Sequence, residues 1–173
     1  MVELGTGLAF GLTWLRHPNS PWSFLFAGYS AILILILAID LEHHRILNKL
    51  TYPAVLFALL AAPLMPGQLW WEYLLGGGLG FGSLFLLALF FPEGMGMGDV
   101  KLGAFIGLVV GFPKVLLALF LSFVLGGFIS GILVLTRRIG RRDPIAFGPY
   151  LGIAAITTML YGEQILIWWA GGI

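Results

Sequence analysis

What constrains this chain most is how rarely a charge interrupts it. Uncharged stretches run 18–39, 50–71, 73–92, 115–136 and 144–162, each 19 to 22 residues long. At about 1.5 Å of rise per residue, each is enough helix to cross ~30 Å of hydrocarbon. Shorter apolar stretches, 4–15 and 102–113, cross only by borrowing flanking residues or meeting a thinned bilayer. The tail 164–173 carries Trp168 and Trp169, which suit a membrane–water interface. Hydrocarbon tolerates no unpaired backbone, and the strict alternation of a barrel is missing. The expected fold class is therefore all-α: one transmembrane helical bundle of about six to seven membrane segments over residues 1–173.

Composition agrees. Of 173 residues, 60% are hydrophobic and 10% charged, against about 45–50% and about 25% in soluble domains. Mean hydropathy is +1.01. A net charge of +1 excludes a nucleic-acid binder that relies on a basic field. With no cysteine, disulfides and cysteine-ligated zinc or iron–sulfur sites are excluded too. Met1-Val2-Glu3 has no positive region and no small-residue cleavage site follows, so the first residues do not read as a signal peptide.

Lysine and arginine set the expected orientation. If the loop after 18–39 is cytoplasmic, so are 40–49, 93–101 and 137–143, provided 102–113 crosses. Those loops hold Arg45, Lys49, Lys101, Arg137, Arg138, Arg141 and Arg142, and the opposite side keeps Arg16 and Lys114. The expected location is the cytoplasmic (inner) membrane. Gly76, Gly77, Gly78, Gly80 and Gly82 share one span, and Gly126, Gly127, Ser130 and Gly131 another. Pairs such as Gly78/Gly82 and Gly127/Gly131 point to close helix packing. The first run is not a phosphate loop, because it lies inside an apolar span and no Lys-Ser/Thr follows.

Two of the eight acidic residues stand out. Asp40 ends the run Ala31–Ile39, and Asp99 ends Gly94-Met95-Gly96-Met97-Gly98. Two spans separate them, so the chain returns to the same face and the carboxylates can meet. Peptide hydrolysis needs a base for water and an acid for the carbonyl oxygen. Two close carboxylates sharing one proton supply both, and they titrate as a pair. Gly96 and Gly98 would let backbone or substrate approach Asp99. Spacing alone leaves other roles open: Asp99 as a helix N-cap, Asp40 as a boundary charge.

Asp40-Leu41 followed by Ile46-Leu47-Asn48-Lys49-Leu50-Thr51-Tyr52-Pro53 resembles the first motif of the type IV prepilin peptidases. Gly94-Met95-Gly96-Met97-Gly98-Asp99-Val100-Lys101-Leu102 is similar to their second, the Gly-x-Gly-Asp signature of a class of intramembrane aspartic proteases. Val2-Glu3-Leu4 with Thr6, and Phe147-Gly148-Pro149-Tyr150, are further matches. The resemblance covers nearly the whole chain in order. It implies catalytic roles for Asp40 and Asp99, with Gly96, Gly98 and Lys101 as supporting motif residues. Many members have proline where Leu47 and Ala146 stand, which implies tuning rather than loss. The long bacterial members begin with another membrane segment and a zinc-binding insertion with paired cysteines, and also methylate the new N-terminus. This chain starts where their peptidase half starts, so peptidase activity is implied and N-methyltransferase activity is left doubtful.

The implied substrates are prepilins or pseudopilins, cut after a glycine at the end of a short basic leader on the cytoplasmic face. Asp40, Glu42, Glu93 and Asp99 would attract such a leader, with Glu42 and Glu93 as docking residues, while the substrate's apolar helix docks among the spans. The competing role of these acids is to balance Arg45, Lys49 and Lys101. No metal or organic cofactor is required. His43 and His44 point apart on a helix and make no metal site. The four arginines at 137–142 fix topology and touch anionic lipid. Lys101 would lower the Asp99 pKa only if the backbone turned it back. Two other functions remain open: a proton- or cation-coupled transporter component using the same carboxylates, and an inactive fragment that needs a partner chain.

Overall fold

The protein is described by a computed structural model covering residues 2–16, 20, 22–43, 46–65, 67–92, 94–136 and 147–171. Among the described residues seven α-helices follow in order: α1 (Val2–Arg16), α2 (Trp22–His43), α3 (Asn48–Ala61), α4 (Trp70–Phe90), α5 (Met97–Val110), α6 (Lys114–Leu135) and α7 (Gly148–Trp169). No strand occurs among the described residues, so the all-α expectation holds. Helices α2, α4, α6 and α7 are long and apolar enough to cross a membrane. Their outward faces are apolar, with Phe24, Phe90, Phe120 and Phe128 exposed. In water that surface would drive aggregation, whereas lipid tails solvate it. This is a multi-pass membrane protein.

Three segments depart from the uncharged runs. The run 50–71 is not one helix. α3 ends at Ala61 and passes into a single 3₁₀ turn, Ala62–Leu64, where Pro63 has no N–H to continue the α-helical ladder. The run 102–113 becomes the 14-residue α5, about 21 Å long and short of the hydrocarbon thickness. The tail 164–173 is no separate segment either. α7 continues through Glu163 and Gln164 to Trp169, because a helix whose charged residue faces a polar cavity need not stop there.

The glycines also pack differently from the expectation. α4 and α5 form the most extensive helix pair, and their contact is backbone on backbone. A Cβ on Gly80 would overlap the Gly103 carbonyl, one on Gly107 would overlap that of Gly76, and one on Gly77 would come within 2.7 Å of Leu108. The working pairs are Gly76/Gly80 and Gly103/Gly107. Gly78, Gly82, Gly127 and Gly131 have nothing within 4 Å of a built Cβ and take no part in packing. Gly126 does pack, against Phe147 at 3.1 Å and Tyr150 at 3.2 Å. At the far end of this hairpin, Gln68 Nε2 donates to the Phe112 carbonyl (3.1 Å), and the Phe112 N–H donates to the Glu72 carbonyl (2.9 Å).

The core lies along α5, ten of whose 14 residues are buried. Phe105 meets Tyr29 of α2 edge-on at 5.9 Å, a favourable arrangement of ring quadrupoles. α5 is thus lined by α4, α3, α7 and α6. Its first turn opens at one end of the bundle, together with the end of α2 and the starts of α3 and α7.

Candidate active site

Asp40 sits in the last turn of α2 and Asp99 in the first turn of α5. Both side chains are buried, at 4% and 9% exposure. They line one cavity of about 550 Å³ with Ile46, Leu47, Asn48, Lys49, Gly96 and Gly98. Buried like charges are costly unless one of them is protonated. Burial, and after it the Asp40 charge, push the Asp99 carboxyl up to about 6, against the lowering effect of backbone N–H bonds from Gly96 and Asp99 itself. The two groups therefore share a field as well as a cavity.

Asp99 is held by its own turn. The helix begins at Met97, so Gly96 rather than Asp99 is the N-cap. The Gly96 N–H donates to Asp99 Oδ2 at 3.2 Å, satisfying one of the amides a helix start leaves over. This fixes the carboxylate while leaving its other oxygen toward other partners. The space beside Gly98 is taken by Ile46, whose Cβ would lie 2.8 Å from a Cβ built there. Gly98 thus admits the chain following α2, where an open approach for substrate was the expectation.

Lys101 turns away from the pair. Its ammonium donates to Asn48 Oδ1 at 2.8 Å and stands 4.7 Å from the Tyr52 ring centre. It ties α5 to α3, and both partners belong to the stretch that follows Asp40. Glu42 is exposed and outside the cavity lining. On a helix it lies about 200° around from Asp40, facing the other way. Glu93, and the arginines of 137–142, lie outside the described residues. His43 is exposed at the end of α2. Among the described residues, no three His, Cys, Asp or Glu side chains gather as metal ligands would.

Gly148 is the neighbour that residue-type reasoning missed. It opens α7, and a Cβ there would lie 2.5 Å from Asp40 Oδ2. Only its place in Phe147-Gly148-Pro149-Tyr150 drew attention to it. Ile46, which touches both Gly98 and the Gly148 side of the cavity, carries no polar atom and so offered no chemical signal.

A helical membrane protein with a buried carboxylate pair at one end of its bundle is the class that fold and site define. The sequence model of the type IV leader peptidase family matches residues 27–131, which include both aspartates. The chain belongs to that family. It is 31% identical over 165 residues to the prepilin leader peptidase/N-methyltransferase of Bacillus subtilis, covering 95% of this chain and 66% of that protein. It is 32% identical to the protein of the same name from Xanthomonas campestris (90% and 58%), and 30% identical to that from Pseudomonas aeruginosa (95% and 59%). The chain spans about half to two thirds of the length of such relatives. No solved structure matches it.

Proposed function

We propose that this chain is an aspartic endopeptidase that removes the leader from prepilin or pseudopilin precursors, with Asp40 and Asp99 as the catalytic pair. One observation carries the reading: two buried carboxylates from distant parts of the chain line one cavity. Family membership, and the names of the relatives, support it.

A water held between the carboxyls loses a proton to the ionised one as its oxygen attacks the scissile carbonyl carbon. The protonated carboxyl gives its proton to the carbonyl oxygen, forming a neutral gem-diol. Collapse returns a gem-diol proton to the second carboxylate, while the first delivers the water-derived proton to the leaving nitrogen as the C–N bond breaks. The pair ends as it began, with one proton. Either aspartate can start as the base. Burial favours a single proton on the pair, and Gly96 holds Asp99 for the exchange.

The cavity faces the cytoplasm in this reading, because the loops at its end carry the chain's excess of lysine and arginine. The membrane is then the cytoplasmic one. Asp40 and Asp99 draw in a basic leader, Glu42 adds negative charge only from the far side of the last turn of α2, and the substrate's apolar segment lies against the exposed apolar helix faces. N-methyltransferase activity is not part of the proposal.

The test is cleavage of a prepilin by the purified protein in lipid, beside Asp40→Asn and Asp99→Asn, with mass spectrometry of the products. Cleavage after glycine that is lost in both variants supports the proposal. Survival of activity in either variant removes the pair from the mechanism. No cleavage of a well-folded substrate, combined with ion flux through reconstituted protein, would favour the transporter alternative.

A further inference from the structure

We infer that Gly148 is a positioning residue for Asp40: the bare first turn of α7 is the wall against which that carboxylate is set. The inference rests on the peptidase reading above, and goes beyond it by assigning a role to a helix that carries neither aspartate.

The geometry is specific to this position. A Cβ on Gly148 would stand 2.5 Å from Asp40 Oδ2, 3.1 Å from its Cγ and 3.3 Å from Ile46 Cδ1. Real side chains do not approach so closely, so any other residue must displace something. Ile46 already fills the space beside Gly98, which blocks one direction of relief. The short Asp40 side chain is the group left to turn, and turning changes where it points in the cavity it shares with Asp99.

The wall itself is fixed. Phe147, just before the helix, packs tilted against Phe123 at 5.3 Å between ring centres and fills the hollow at Gly126, while Tyr150 packs there one turn on. Further down the same face, Gly152 makes ordinary contact, its built Cβ 3.5 Å from Leu37 Cδ1. Two glycines on one side of α7 thus face α2, but only the first faces a carboxylate. Because α7 begins there, the positive end of its dipole also lies beside Asp40.

The experiment compares Gly148→Ala with Gly152→Ala and Asp40→Asn, measuring kcat and KM for prepilin cleavage and the thermal midpoint of each protein. Gly148→Ala should lower kcat roughly 10- to 100-fold, the scale set by a displacement of about 1 Å at a reacting group. KM should stay within about twofold, since a turned Asp40 keeps its charge in the cavity and the apolar segment binds along the helix faces. Gly152→Ala should match the parent in both constants. Full kcat in Gly148→Ala beside a dead Asp40→Asn overturns the inference and leaves the peptidase reading intact. An active Asp40→Asn overturns the peptidase reading first. If Gly148→Ala folds poorly, the same change is placed in an Asp40→Ala chain. Removing the carboxylate should erase most of the loss in thermal midpoint, and an undiminished loss overturns the inference.

Discussion

The two ends of the bundle each hold a cavity of similar size, about 550 Å³ around Asp40 and Asp99 and about 580 Å³ around Arg16, Lys114 and Glu163. Size does not separate them; charge arrangement does. At the first end two like charges are buried together, an arrangement that lowers stability unless they share a proton. At the second, charges of both signs mix with Gln68 and Gln164, and Arg16 and Glu163 are exposed. Opposite charges in water cost little to keep and contribute little. A costly arrangement retained in a fold points to chemistry more strongly than volume does.

The largest expected effect breaks the comparison if it fails. Asp40→Asn and Asp99→Asn should each lower cleavage by at least roughly 10³-fold, while Glu163→Gln and Lys114→Gln stay within about twofold in the same assay. Equal losses at both ends would show that the second cavity is also part of the machinery.

Next comes the hairpin that joins the ends. Gly80→Leu and Gly107→Leu drive a side chain into facing backbone and should cost about 1–3 kcal/mol or more, read as a large drop in thermal midpoint or loss of folded protein. Gly78→Leu and Gly82→Leu, which meet nothing within 4 Å, should melt with the parent.

A pH titration sharpens the electrostatic difference. The Asp99 carboxyl is raised from 3.8 to about 6, so it keeps its proton below that value and loses it above. Activity that depends on one shared proton should fall as pH rises through about 6. A raised carboxyl also contributes most to stability below its unfolded pKa, so this contribution should fade between about pH 4 and 6. The charged groups near it are Asp40 on α2, which raises it, and Lys49 of α3 on the cavity rim. Asp40→Asn should bring the Asp99 value down only in part, since burial is the larger cause, as NMR of labelled aspartate would read.

The smallest effect is at Lys101. Lys101→Met removes the bond to Asn48 and the contact with Tyr52, and should cost about 0.5–1 kcal/mol with less than about threefold change in cleavage. A larger loss would place the ammonium in the reaction.

Much of this was legible in the chain, for reasons that differ by residue. The four long helices followed from uncharged runs, because desolvating a charge in hydrocarbon is prohibitive. For Asp40 and Asp99, parity only allowed a meeting, since an even number of crossings returns the chain to its starting side; the motifs around them singled them out. The packing glycines did not follow. Gly78/Gly82 and Gly76/Gly80 have the same spacing, and only the rotation of α4 about its axis decides which pair meets α5. The break in 50–71 was signalled by Pro63 but hidden by an uninterrupted apolar run. Gly148 was hidden most deeply: it has no side chain to suggest a role, and its significance exists only once α7 stands beside α2.

The burial of α5 has a consequence for how the bilayer acts on this protein. α5 is clad in protein, whereas α2 turns Phe24, Leu35 and Leu41 outward. A thicker or thinner membrane therefore pulls on the rod that bears Asp40 directly, and reaches the one that bears Asp99 only through its neighbours.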